Sequence, residues 1–400
     1  MIRSPFALYI HVPFCSRKCP YCDFNTYATL KVPEEEYLQA LLADLRAYAR
    51  DNRFEGRTIS SIFWGGGTPS LLSSATLNAV HAEARTLFGV EVGAEVTLEA
   101  NPADPSKEKY ALTKAAGVNR VSFGVQSFDA KRLELLGRDH SPQNARDAVR
   151  LCVEAGIENV SVDLIFGVTD QTIEDLEGDL AAAAALPVTH ISTYALTIEP
   201  GTPFFQRQER GLLSMPSDGL VAEMLDRIPE VLASQGFSRY EISNYARVGL
   251  VSRHNEAYWI GRDYLGIGAG AHSYVASYSG DRRVGGSRWS TLALPASYMK
   301  AAGTPSAVSW REELSRESLM FEFFYLGLRR MVGVSLNEFE KLFGDSAASP
   351  YRAVLRELSD EGFLRVENDW IQLTSAGIAL ADSVYERFVI EGGESVSSTR

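Results

Sequence analysis

The chain has 400 residues, 45% hydrophobic and 22% charged, with 39 Lys and Arg against 51 Asp and Glu and a formal charge of −12. That length can bury a large core and accommodates two or three domains. The acidic balance argues against non-specific nucleic-acid binding and against a polybasic membrane anchor, both of which need a cationic surface. No apolar run approaches the roughly 20 residues that span a bilayer; the alanine-rich stretch 181–188 is short and contains Pro187.

Residues 8–12 alternate and are rich in β-formers, which predicts a strand. Cys15, Cys19 and Cys22 follow at once in C-x3-C-x2-C spacing. Cleaving the N-terminal stretch as a signal would remove that strand, so a reducing cytoplasm is the expected compartment. Three thiolates can hold three irons of a 4Fe–4S cube and leave the fourth without a protein ligand. An open metal position is where ligand exchange happens. Two other readings stand beside this one: a zinc site, for which His11 is the nearby fourth ligand, and plain thiols. Cys152 lies in an apolar helical stretch and reads as a small buried hydrophobe.

Further strand-like runs occupy 59–64, 95–99, 120–124, 160–165 and 190–195. Helical patterns lie between them, for example 34–46 and 143–155, the latter stopped by Gly156. Strands alternating with helices imply parallel βαβ units. Six units predict a partial or complete parallel barrel, whose functional residues gather at the C-terminal strand ends. Polar candidates sit at those ends: Gly66, Gly67 and Thr68, then Glu99, Gln126 and Asp163, with Arg138 in a following loop. Consecutive glycines let backbone N–H groups approach a ligand closely, although a tight turn would explain them equally. A carboxylate within an apolar strand costs several kcal/mol unless paired. Asp163, between Val162 and Leu164, therefore calls for a ligand or a structural cation.

Beyond about residue 204 the pattern changes. A helix lies within 209–234, an aromatic and glycine-rich stretch covers 237–278, and 281–289 reads as an exposed loop or hairpin. Helices at 318–329 and 351–361, a hairpin at 363–373 and a last helix at 376–388 make a winged-helix-like α+β module; 391–400 reads as a disordered tail. The expected partition is a core at 1–235, an extension at 236–309 and the module at 310–390. Residues 311–400 carry ten Lys and Arg against sixteen Asp and Glu, so this module is expected to pack or cover rather than bind phosphate.

The segment from Tyr9 to Phe24, cysteines included, resembles the radical S-adenosylmethionine superfamily. It resembles most closely the branch of oxygen-independent coproporphyrinogen oxidases and their haem-chaperone relatives, and the resemblance runs to about residue 380. It implies a partial parallel (β/α)6 barrel, a 4Fe–4S cluster on the three cysteines, and S-adenosylmethionine on the open iron, where an electron from the cluster cleaves the sulfonium. By resemblance Gly66, Gly67 and Thr68 hold the methionine amino end. Glu99, Gln126 and Asp163 meet the ribose and amino group, Arg138 meets the carboxylate, and Tyr9 and the backbone of Tyr21 flank methionine and adenine. The oxidases carry another cysteine two residues after the third and a longer stretch before the loop. Here that position is Phe24 and Cys15 lies close to the start, which puts decarboxylase activity in doubt.

His254, Tyr258 and Trp259 form an H-N-x-x-Y-W pattern that resembles the signature of the haem-chaperone group. Histidine is a usual axial haem ligand and aromatics stack on porphyrins, but the residues alone favour a capped loop with a packed Tyr–Trp pair, and it is the resemblance that reverses the preference. His272 is expected nearer the cofactor end. The resemblance thus implies a chaperone that receives haem as cargo and passes it to acceptor haemoproteins, with no catalytic residue assigned. The alternatives are coproporphyrinogen III oxidation to protoporphyrinogen IX or another radical reaction on a tetrapyrrole. Peripheral membrane contact and a homodimer stay open.

Overall fold

The computed structural model describes residues 4–344 and 346–389; the expected tail at 391–400 lies outside them. Six strands follow the predicted order: β1 (Phe6–Val12), β2 (Ile59–Gly66), β3 (Val90–Ala100), β4 (Arg120–Gln126), β5 (Asn159–Phe166) and β6 (His190–Ala195). Each pairs in parallel with the next. The pleat explains their composition. On β1, Phe6, Leu8, Ile10 and Val12 are buried in the main apolar core, while Tyr9 and His11 take the other face. Four of the intervening helices begin at side-chain caps: Ser73, Ser106, Ser141 and Thr172 each accept from a backbone N–H in the first turn.

The chain then adds strands at both edges of the same sheet. β7 (Ser238–Arg239) and β8 (Asn244–Ala246) extend it antiparallel beyond β6. β9 (Tyr264–Ile267) returns to pair parallel with β1, and β10 (His272–Ser279), β11 (Arg282–Thr291) and β12 (Val308–Leu314) continue antiparallel from it. The result is an open, partial barrel of parallel strands with antiparallel flanks. The stretch expected as an exposed loop or hairpin at 281–289 is a hairpin strand inside this sheet, and its Trp289 is fully buried with the barrel core. A polar outer face had masked a strand whose other face packs inward.

A second apolar core gathers Phe324, Phe339, Tyr351 and Phe388 around the helices Arg316–Gly327, Leu336–Phe343 and Arg352–Asp360, and includes Tyr274 and Ala276 of β10. Its three-stranded sheet orders Val334–Ser335, Trp370–Leu373 and Leu364–Glu367. The helix expected at 376–388 is broken into Ser375–Ala379 and Ala381–Glu386, with Leu380 outside helical geometry at φ −118, ψ 31. Among the described residues no helix is long and apolar enough to cross a membrane.

Candidate functional site

Cys15, Cys19 and Cys22 are free and half-buried on the loop that leaves β1. Parallel pairing of Phe14–Cys15 with Tyr27–Ala28 closes the loop at its base. Tyr27 N–H donates to Pro13 O at 2.7 Å, and Thr29 N–H to Cys15 O at 2.9 Å. The glycine turn after β2 lies against this loop. Gly67 N–H donates to Val12 O and Thr68 N–H to Phe14 O, each at 2.8 Å, and Thr68 Oγ1 stands 3.6 Å from Cys15 Sγ. A Cβ on Gly67 would meet Phe14 O at 2.6 Å and Cys15 Sγ at 3.0 Å. Gly66 has φ 110, and a Cβ there would meet the His11 ring at 2.5 Å. Close approach and backbone conformation together require glycine at both positions. Burial pushes the Cys15 and Cys22 thiols up in pKa, against hydrogen bonds from Thr68 and Thr26; metal coordination reverses that, because it deprotonates a thiol outright. Among the described residues no three His, Cys, Asp or Glu side chains stand close enough to share one metal ion; in a cube each thiolate binds a different iron.

The polar strand-end residues open onto the same end of the barrel. Gly66 N–H donates to Glu99 Oε2 at 3.0 Å. Burial, reinforced by Asp163, pushes the Glu99 carboxyl up to about 8. Asp163 is also raised by burial, and Ser122 Oγ donates to its two oxygens at 3.1 and 3.2 Å. Gln126 ends β4 in the left-handed region at φ 67, a conformation that costs a non-glycine residue on the order of 1 kcal/mol. Arg138 is brought under the cysteine loop by Gly137, whose φ of 66 lets the chain pass so near that a Cβ would stand 2.6 Å from Pro20 Cδ. Arg138 Nη2 donates to Gly124 O at 2.8 Å, and Nη1 lies 3.4 Å from Cys19 Sγ. Its Nε is buried without a partner, an orphan donor at the mouth of the site. Tyr9 OH and His11 Nδ1 are 2.9 Å apart, and the Tyr21 ring rests 6.2 Å from that of Phe204. His272 is exposed on β10, its ring 6.5 Å from Trp310.

Sequence reading missed two groups. Arg120 is buried at the start of β4 with an unpartnered Nε, and its charge works against the carboxyl pKa rises of Glu99 and Asp163. Tyr194 is the penultimate residue of β6, and its hydroxyl is raised in pKa by burial and then by Asp163. Strand alternation could have flagged both, because each shares its strand face with a polar residue two positions away, Ser122 and Ser192.

The H-N-x-x-Y-W residues lie away from the cysteines. They form the helix Arg253–Trp259, whose first N–H groups are held by Glu95: Arg253 N–H at 3.1 Å and His254 N–H at 3.0 Å. His254 enters the barrel and stacks on Phe63, ring centroids 5.0 Å apart. Its Nδ1 is 2.9 Å from Ser61 Oγ and its Nε2 3.0 Å from Tyr258 OH. Burial, with Arg120 adding to it, lowers its pKa to about 3 and keeps the ring neutral. Both ring nitrogens are therefore engaged, and iron ligation by His254 would require breaking one of these bonds. Trp259 faces elsewhere, into a cavity shared with the helix Arg316–Gly327. The helical spacing separates the two: His254 and Tyr258 at i and i+4 share a face, and Trp259 does not.

Residues 9–183 match the family model described as Radical SAM superfamily, and 314–380 match the HemN C-terminal domain. A Lactococcus lactis protein named "Heme chaperone HemW" is 35% identical across 98% of this chain and 99% of its own length. An Escherichia coli protein of the same name is 36% identical across 97% and 99%. Among solved structures, the Escherichia coli coproporphyrinogen III oxidase HemN, a radical SAM enzyme, superposes with TM-score 0.80 over 96% of this chain and 90% of its own, at 23% identity, which speaks for the fold. With that fold, this site and likeness of this extent, the chain belongs to the HemW family of the radical SAM superfamily.

Proposed function

We propose that this chain is a haem chaperone of a reducing cytoplasm: it holds a 4Fe–4S cluster with S-adenosylmethionine, binds haem as cargo and passes it to acceptor haemoproteins. One observation carries the reading. Proteins named as haem chaperones match at 34–36% identity over 95–99% of their own lengths, whereas the oxidase shares the fold at 23%. Phe24 agrees with it. The side chain that stands where the oxidases have a further cysteine is 64% exposed, whereas the three cysteines are half-buried.

Superfamily membership implies the cluster and S-adenosylmethionine, and the residues present fit both. Cys15, Cys19 and Cys22 are assigned as cluster ligands, with the Gly67 approach leaving room for nothing larger beside Cys15 Sγ. When bound, the cluster supplies an electron and the cofactor supplies the sulfonium that accepts it. The protein's part is binding and orientation. The orphan Arg138 Nε offers a carboxylate a buried, charge-assisted donor. Glu99, neutral in the unliganded site up to about pH 8, ionises when an ammonium group displaces that burial penalty. Asp163, oriented by Ser122, accepts from hydroxyls. Gly66, Gly67 and Thr68 present backbone N–H groups, Gln126 holds a strained turn, and Tyr9 and the backbone of Tyr21 wall the pocket. Haem is assigned to the side of the H-N-x-x-Y-W helix on which Trp259 lines a cavity, since both ring nitrogens of His254 are already engaged.

Anaerobic incubation of the cluster-replete protein with coproporphyrinogen III, S-adenosylmethionine and reductant, beside a genuine oxidase, tests this. A chaperone yields no protoporphyrinogen while the control turns over. Product from this chain would establish the oxidase reading despite Phe24.

A further inference from the structure

A cavity of about 350 Å³ lies between the Arg253–Trp259 helix, β10 and the helix Arg316–Gly327. It adjoins a second space of about 490 Å³ with which it shares Lys341 and Leu342. Ligand pockets for small molecules span roughly 300–1,000 Å³. The walls are largely apolar and aromatic, with Trp259, Tyr274, Leu319 and Phe323 prominent. Its margin carries Arg283, Arg330 and Lys341 with Glu322 and Glu338. Arg330 is paired with Glu256 at 3.1 Å, and Glu322 with Arg288. Arg283 hydrogen-bonds to neutral oxygens, Gly261 O at 2.9 Å and Tyr278 OH at 3.1 Å, with the Asp263 and Glu322 carboxylates close enough to interact with its charge. Lys341 is exposed and forms no ion pair among the described residues. Glu338, the remaining lining carboxylate, is exposed like Lys341 and lies three residues before it on the same helix. Trp259 Nε1 is buried with no acceptor.

We propose that this cleft, and not the barrel interior around His254, is where the haem cargo binds, its macrocycle against Trp259 and Phe323 and its two propionates toward Arg283 and Lys341. The proposal rests on the haem-chaperone reading and locates its site. Aromatic walls rimmed by Arg283 and Lys341, neither of them in a direct ion pair among the described residues, suit a flat apolar ligand with acidic groups at one edge. No histidine, methionine or cysteine is among the lining residues, so the cleft grips the porphyrin rather than the iron. That suits a carrier, because an acceptor offering a strong axial ligand can then take the haem. It also divides the H-N-x-x-Y-W helix by role: His254 and Tyr258 close the barrel floor, and Trp259 meets the cargo.

The test is titration of the full-length protein with haemin and with metal-free protoporphyrin IX, followed by Soret absorbance and tryptophan quenching. Wild type, Trp259→Leu, Lys341→Glu and His254→Asn are compared, with iron content and circular dichroism as folding controls. The proposal expects haemin and protoporphyrin IX to bind within about tenfold of each other, a loss of tenfold or more in Trp259→Leu and Lys341→Glu, and affinity within threefold of wild type in His254→Asn. Lys341 is on the surface, so its variant reports even where Trp259→Leu misfolds. Haemin binding that is abolished in His254→Asn, unchanged in Lys341→Glu and at least a hundredfold stronger than that of protoporphyrin IX would overturn the cleft while leaving the chaperone reading intact. No haem binding by wild type would sink the chaperone reading itself.

Discussion

Gly67→Ala is the sharpest probe of how the site is built. The added methyl would lie 2.6 Å from Phe14 O, 2.9 Å from Val12 O and 3.0 Å from Cys15 Sγ, and real Cβ atoms essentially never come within 3.0 Å of a neighbour. Two of these obstacles are backbone carbonyls, the same two that accept from Gly67 and Thr68 at 2.8 Å. They cannot rotate aside, so relief comes only by parting the glycine turn from the cysteine loop. Stretching those two hydrogen bonds, worth about 1 kcal/mol each, and the overpacking itself give a cost of about 1–3 kcal/mol. The same displacement moves Thr68 and Cys15 relative to each other, so the effect should exceed simple destabilisation. The expected result is a lower urea midpoint for the cluster-free protein and at least tenfold weaker S-adenosylmethionine binding after cluster reconstitution. Gly178→Ala is the internal control. It lies mid-helix with nothing within 4 Å of its Cβ position, and alanine there should stabilise by about 0.5–1 kcal/mol. Wild-type stability and cofactor affinity in Gly67→Ala would refute the proposed contact between the two loops.

Three further outcomes follow from the site. Glu99, raised to about 8 by burial and then by Asp163, contributes stability that is full below its ordinary pKa near 4.5 and is lost as pH rises through about 8; Glu99→Gln should match wild type at pH 5 and be more stable by about 1–4 kcal/mol at pH 9 in cofactor-free urea melts, and equal stabilities at pH 9 would show that Glu99 is not desolvated. His254, lowered to about 3 by burial and Arg120, has the opposite sign: its contribution is full above pH 6.5 and is lost as pH falls toward 3, so wild type should lose stability from pH 6.5 to 4 more steeply than His254→Asn, by up to about 1.4 kcal/mol per pH unit, and parallel curves would mean the ring is not buried neutral. Arg138→Lys keeps the charge but cannot reach Gly124 O, Asn101 and Cys19 together, and calorimetry should show S-adenosylmethionine binding weakened at least tenfold with iron content retained; unchanged affinity would remove Arg138 from the cofactor site.

The cysteine spacing and the alternation of β1 to β6 were legible in sequence because both are local: three cysteines within eight residues, and a period of two that survives in each strand. The strand ends then placed Glu99, Gln126 and Asp163 at one mouth. What could not be read depends on contacts between distant segments. His254 meets Ser61 across 193 residues, so nothing around the motif told that its ring nitrogens are occupied or that Trp259 turns away from it. Arg138 reaches the cysteines only because Gly137 passes over Pro20. The strand Arg282–Thr291 carries arginines on one face and Trp289 on the other, a composition that looks like a loop until its partners on both sides are known.

The central claim is that haem passes through this protein to another. The most direct measurement is transfer itself. The haem-loaded, cluster-replete chain is mixed anaerobically with an apo-haemoprotein that binds haem through a histidine, and the Soret band is followed before and after the two are separated by size. The account predicts that haem leaves this chain for the acceptor faster than the acceptor gains it from free haemin at the same concentration. Haem retained on this chain, or acquired no faster than from free haemin, would contradict it.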